Sequence, residues 1–146
     1  MSDKEKSRIE SEPEVTAYIQ DLRYAFQKKA SIIFQKSRTV DDQREEEYTN
    51  RYTISHLFPD ENPVVALRRE LSTLTVENYI QTVRDLRFPQ KSEFREFGKV
   101  YDGEGDVYIK IRVELLGMYG ESFVFIMSFH FAERAFTPEM FPYRKR

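Results

Sequence analysis

Between residues 106 and 131, apolar and polar side chains first alternate with a period of two and then give way to an apolar run. Val107, Ile109, Ile111, Val113 and Leu115 fall on one face of an extended chain, and Tyr108, Lys110, Arg112 and Glu114 on the other. That alternation predicts a half-buried strand. Residues 117–120, bounded by Gly117 and Gly120, predict the turn. The return segment 122–131 places Phe123, Phe125, Met127, Phe129 and Phe131 on one face and Val124 and Ile126 on the other. A strand apolar on both faces is expected at the centre of a sheet. Only Ser128 and His130 make its second face polar. With a further strand over 93–101 and a turn at 102–105, the short connections predict a sequential antiparallel meander.

Upstream the period lengthens. Val15, Tyr18, Ile19, Leu22, Phe26, Ala30 and Ile33 recur at helical spacing behind Ser11, Pro13 and Glu14. Those three residues are a capping signal with proline in the first turn, so the segment reads as an amphipathic helix of about five turns. Residues 31–34 fit a short extended segment equally well. Residues 1–12 read as a flexible tail and 13–146 as one domain. From 35 to 62 the chain is polar, and Tyr48, Tyr52, Ile54, Leu57 and Phe58 fit either a short helix or a packed loop. Asn62 or Asp60 caps a helix over 64–74, with Pro63 at its first position. Thr75 then caps a further short helix carrying Val76, Tyr79, Ile80 and Val83. Pro138, Met140, Phe141 and Pro142 suggest a C-terminal segment folded back over an apolar surface. Helices first, then an antiparallel sheet of three or more strands, give an α+β fold.

Composition narrows the chemistry. The 146 residues include no cysteine, so disulfides, thiolate metal sites and cysteine nucleophiles are excluded. Histidines are limited to His56 and His130, in no metal-binding spacing, and the 5 glycines form neither a P-loop nor a dinucleotide fingerprint. No metal and no cofactor are expected. A net charge of −2 argues against a broad electrostatic grip on nucleic acid, though not against a local basic pocket. The polar N-terminus carries no secretory signal, and no apolar run reaches membrane-spanning length. Cytoplasmic location without membrane association is the expectation.

The candidate chemistry is the set Lys99, Tyr101, Lys110, Arg112, Ser128 and His130. Lys110 and Arg112 share a strand face, as do Ser128 and His130. If the three strands pair as neighbours, a cationic pair there suits a phosphodiester. His130 or Lys99 would handle protons, and Tyr101 or Tyr79 would stack on or orient a base. The competing reading is an open sheet solvated by its charged face in the ordinary way.

Several of these residues also lie in motifs. Leu74, Thr75, Asn78 and Tyr79, then Phe97, Gly98 and Lys99, then Val107, Tyr108, Ile109 and Lys110, then Ser128, Phe129, His130, Phe131, Ala132 and Glu133 form an ordered series. Over residues 71–143 it resembles the MqsR-like branch of the RelE-type toxins of bacterial toxin–antitoxin systems. The resemblance implies helices packed on a curved antiparallel sheet. It implies metal-independent endoribonucleolytic cleavage of messenger RNA, silenced by a cognate antitoxin, with the ribosome as a further candidate partner. It aligns the family's strand lysine with Lys110, its tyrosine with Tyr79 and its serine with Ser128. The chain departs from the family at Ile80, where a lysine is common, and in lacking a basic balance. RNA supplies its own nucleophile, the 2′-hydroxyl, so cationic residues and proton carriers would suffice. The alternative is a non-enzymatic protein- or RNA-binding module, with Tyr108, Phe136, Phe141 and Tyr143 suited to a protein interface.

Overall fold

The computed structural model describes residues 4–115 and 122–145. The first helix, α1 (Glu12–Gln27), begins as its sequence signal requires: the Ser11 hydroxyl accepts from Glu14 N, and Ser11 N donates to the Glu14 carboxylate. Its buried stripe is Val15, Tyr18, Ile19, Leu22, Ala25 and Phe26. The helix stops short of the expected length. Lys29 turns into the left-handed region (φ 58°), Ala30 N reaches back to Ala25 O, and Ser31–Phe34 forms strand β2. Helices α2 (Asn50–Leu57) and α3 (Pro63–Leu71) follow, the latter capped by Asn62 Oδ1 on the amides of Val64 and Val65.

Two expected elements differ. Residues Glu5–Arg8, read within a tail, form strand β1. The short helix expected after Thr75 is one 3₁₀ turn, Val76–Asn78, which opens into strand β3 (Tyr79–Asp85). β3 lies between two strands, and a bulge near Ile80 buries the consecutive residues Tyr79 and Ile80. Thr82 and Val83 are buried too, so β3 has no clean period-two pattern, and its apolar spacing imitated a helix. Strands β4 (Phe94–Tyr101), β5 (Gly105–Glu114) and β6 (Phe123–Phe131) complete a 6-stranded sheet of order β1-β3-β4-β5-β6-β2. The meander β4–β6 is antiparallel as expected, β3 extends it antiparallel to β4, β1 pairs antiparallel with β3, and β2 adds a parallel edge beside β6. The turn expected at 117–120 lies outside the described residues. Among those described, no helix is long and apolar enough to cross a membrane.

The core lies on one face of the sheet. Phe97, Val107, Ile109, Ile111, Val124, Ile126 and Phe129 pack with the α1 stripe and with Leu67, Leu71 and Leu74. Each such side chain stabilises the fold by about 1.5–3 kcal/mol on burial, which fixes which face points inward. The return strand does not keep one alternation, however. Lys110 pairs with Ser128, but Ile111 pairs with Ile126, so Met127 is an extra residue in a bulge. Before the bulge Val124 and Ile126 face the core; after it Phe129 and Phe131 do. The expectation that Phe123 through Phe131 share one face is therefore corrected: Phe123 and Phe125 lie opposite Phe129 and Phe131.

Asn50 holds this bulge. It is fully buried at the start of α2, donating to Gln35 O (2.7 Å) and Met127 O (2.9 Å) and accepting from Phe129 N (3.0 Å). Thr53, one turn on, accepts from Phe131 N at 2.9 Å. β2 covers β6 only through Ile126, so α2 satisfies the rest of that strand edge with side chains instead of a strand.

Candidate functional site

The bulge puts Ser128 and His130 on the sheet face away from α1, beside the polar residues of β5. Rows across the strands define the site. Glu96 of β4, Lys110 of β5 and Ser128 of β6 are successive cross-strand neighbours, as are Gly98, Tyr108 and His130. Lys110, Arg112, Ser128 and His130 thus share one face, because the bulge at Met127 shifts the register of β6. Despite facing away from the core, Glu96 (7% exposed), Lys110 (8%), Ser128 (2%) and His130 (7%) are nearly covered.

Much of the cover comes from the polar stretch after β2. The Arg38 Nη1 donates to Ser128 Oγ at 3.2 Å. Arg38 is anchored by its own backbone: Arg38 N donates to the Asp41 carboxylate, and Arg51 braces the same carboxylate at 3.1 Å. Arg44 approaches from the end of the 3₁₀ turn Thr39–Gln43 and lines a cavity with Tyr108 and His130. Its Nη1 is buried without a hydrogen-bond partner among the described residues. Burial lowers the Arg38 pKa, and Arg44 nearby lowers it further against the weaker pull of Asp41. Two guanidinium groups are held close, and among the described residues no carboxylate is in salt-bridge contact with either, an arrangement that favours an incoming anion.

The other cations on this face are already engaged. Lys110 donates to Glu5 of β1 at 3.2 Å and lies 5.2 Å from the Phe94 ring centre. Arg112 stands 3.5 Å from Glu114, between the rings of Phe94 and Phe125. Lys110 is thereby held, whereas Arg112 Nε, like Arg44 Nη1, is buried without a hydrogen-bond partner among the described residues. With Lys110 paired and Arg112 beside Glu114, the face carries less free charge than the sequence suggested.

His130 is set up as a base. Its Nδ1 lies 2.9 Å from Phe131 O; a carbonyl only accepts, so Nδ1 carries the proton and Nε2 keeps its lone pair. Burial lowers its pKa, Arg44 and Arg38 lower it further, and the Phe131 hydrogen bond and Glu133 oppose them. Across the strand pair the Tyr108 ring is 5.4 Å away. Burial and the Glu96 carboxylate raise the Tyr108 pKa, so its hydroxyl stays protonated. Among the described residues no group of three or more His, Asp or Glu could hold a metal ion.

Three expected site residues lie elsewhere. Lys99 pairs with Val107 and Tyr101 with Gly105, which places both on the helix-side face. There Lys99 (2.9 Å) and Tyr101 (2.7 Å) both donate to Glu70 of α3. Tyr79 is fully buried against Phe97 and Tyr143, its hydroxyl accepting from Glu10 N and 2.7 Å from Thr82 Oγ1, so it has no free face for a base. Conversely, Arg38 and Arg44 carried no periodic signal, because they lie in 3₁₀ turns and loop; Tyr108 was visible as an outward strand residue but pointed to a protein interface. The C-terminal segment folds back as expected: Phe136 and Phe141 pack over Gly98, where an added Cβ would come within 2.7 Å of Phe136. No protein-family model, no curated protein and no solved structure matches this chain.

Proposed function

We propose that this face binds RNA and cleaves it as a metal-independent endoribonuclease of the toxin kind that the motifs resemble. The observation that carries the reading is the pair Arg38 and Arg44, without salt-bridge partners among the described residues, set beside a buried His130 whose Nε2 is unprotonated. The arginines bind the scissile phosphate and stabilise the charge that builds on it. His130 Nε2 takes the proton of the 2′-hydroxyl, whose oxygen attacks phosphorus. The 2′-O–P bond forms, the P–O5′ bond breaks, and a water molecule protonates the departing 5′-oxygen. The products are a 2′,3′-cyclic phosphate and a 5′-hydroxyl; the proton held by His130 passes to the hydroxide left by that water, which restores the neutral ring. Lys110 and Arg112 act as flanking positive charge. A protein antitoxin would silence the activity by covering this face.

The test is incubation of the purified protein with mixed-sequence RNA in EDTA, followed by end-group analysis. Cyclic or 3′-phosphate ends that disappear in His130→Asn and in the double variant Arg38→Gln, Arg44→Gln support the reading. A second reading, RNA binding without cleavage, is favoured by the engagement of Lys110 with Glu5 and would give arginine-dependent binding with intact RNA. RNA neither bound nor cut would reject both.

A further inference from the structure

We infer that the cavity beside His130 receives the base of an unpaired nucleotide whose phosphate lies on Arg38 and Arg44. The inference rests on the RNA reading above and adds where the base goes. The cavity measures about 520 Å³. Tyr108 and His130 line it from the sheet, Ala135, Phe136 and Met140 from the segment after β6, and Arg44 joins them. Arg44 and Arg134 outweigh the single carboxylate of Glu133 and leave one side net positive, and the other side is apolar, which matches a nucleotide and not a bare anion or a purely apolar group. Arg44 belongs to both parts, so phosphate and base subsites adjoin.

The apolar wall is tied to the sheet. Asp106 accepts from Ala132 N through its carbonyl and from Phe136 N through its carboxylate, both at 2.8 Å. Phe136 also meets Phe141 edge-on at 5.5 Å over Gly98. A pre-formed wall loses little freedom when a ring enters. A second cavity, of about 330 Å³ by Tyr52 and His56, carries Glu47, Glu104 and Asp106 and would repel a phosphate. A base stacked within a duplex cannot enter such a cavity without leaving its stack, so the substrate class is single-stranded RNA.

Calorimetric titration of the full chain with inorganic phosphate, ribose 5-phosphate and the four nucleoside 3′-monophosphates separates the two subsites. At least one nucleoside monophosphate should bind about tenfold or more tighter than ribose 5-phosphate, the increment of a stacked base. Ala135→Trp, at an exposed position, should abolish that gain by filling the cavity while leaving ribose 5-phosphate affinity unchanged. Met140→Ser, 36% exposed, should reduce the gain without adding bulk. Arg38→Gln with Arg44→Gln should abolish both phosphate and nucleotide binding. Equal affinity for ribose 5-phosphate and every nucleotide would overturn the base subsite and leave the phosphate site standing. Failure of all these ligands to bind would overturn the phosphate site and the base subsite together.

Discussion

Two polar clusters lie on opposite faces of one sheet, and they differ in whether the fold supplies the counter-charge. On the helix side, Lys99, Tyr101 and Arg69 converge on the Glu70 carboxylate. Burial opposes the Glu70 charge, yet hydrogen bonds from Tyr101, Lys99 and Arg69 outweigh it and hold the group below the usual carboxylate range. The cluster is satisfied and ties α3 to β4. On the other face Arg38 and Arg44 lie against Ser128, Tyr108 and His130, with no carboxylate in salt-bridge contact among the described residues. Both clusters hold lysine or arginine beside tyrosine, so residue type alone does not distinguish them. What does is the register: Lys99 opposite Val107 faces α3, while Lys110 opposite Ser128 faces away from it. A cation that meets its partner inside the fold serves stability, and one that does not is available to a ligand.

The comparison breaks most sharply on the arginines. Replacing Arg38 and Arg44 together by glutamine removes two charge-assisted contacts worth about 1.5–3 kcal/mol each, so RNA affinity should fall by about 100-fold or more. Filter binding at fixed salt measures it. Glu70→Gln is the control on the opposite face and should leave RNA affinity where it was; a matching loss would show that the two clusters are not separate.

Next in size is Asn50→Ala. Three buried backbone groups, Gln35 O, Met127 O and Phe129 N, would lose their partner. At about 1–3 kcal/mol for each buried unsatisfied group, partly relieved by water, the expected destabilisation is about 3 kcal/mol in urea unfolding. Because the bulge alone turns Ser128 and His130 toward the arginines, RNA binding should weaken with it. Glu70→Gln follows at about 1–2 kcal/mol, since the half-buried Lys99 would lose its carboxylate.

The difference between these residues also explains how far the sequence could be read. Lys110 and Arg112 were legible because β5 alternates without interruption and its core face is aliphatic throughout. Ser128 and His130 were legible as a polar pair, but their face was not, since the Met127 bulge depends on Asn50, remote in sequence. Lys99 and Tyr101 were grouped with the site because strand identity is local and register is not. Tyr79 reads from the sequence as part of a short helix and as a candidate to stack on a base, because β3 is covered on both faces and loses its alternation. Arg38 and Arg44 left no trace, as a residue carried on 3₁₀ turns has no periodicity to declare its direction. The caps of α1 and α3 were read correctly from three-residue signals, which are purely local chemistry.

The smallest expected effect is the pH dependence contributed by His130. Its folded-state pKa lies below the ordinary 6.5 because burial, then Arg44 and Arg38, disfavour the imidazolium more than the Phe131 hydrogen bond and Glu133 favour it. Above 6.5 both folded and unfolded chains hold the ring neutral and stability does not change on its account. As pH falls below 6.5 the unfolded chain takes up the proton first, so stability declines, by at most about 1.4 kcal/mol per pH unit, until the folded value is passed. Glu10, Glu70 and Glu93, all held below 4.5, add their losses only at lower pH, so the window just under 6.5 belongs mainly to His130. Urea unfolding at pH 7.0 and 5.5 should show a loss in the parent chain that is smaller in His130→Asn. An equal loss in both would mean that His130 titrates as an exposed histidine does. It would also remove the reason for treating the ring as a buried neutral base, in contrast to the fully paired cluster around Glu70.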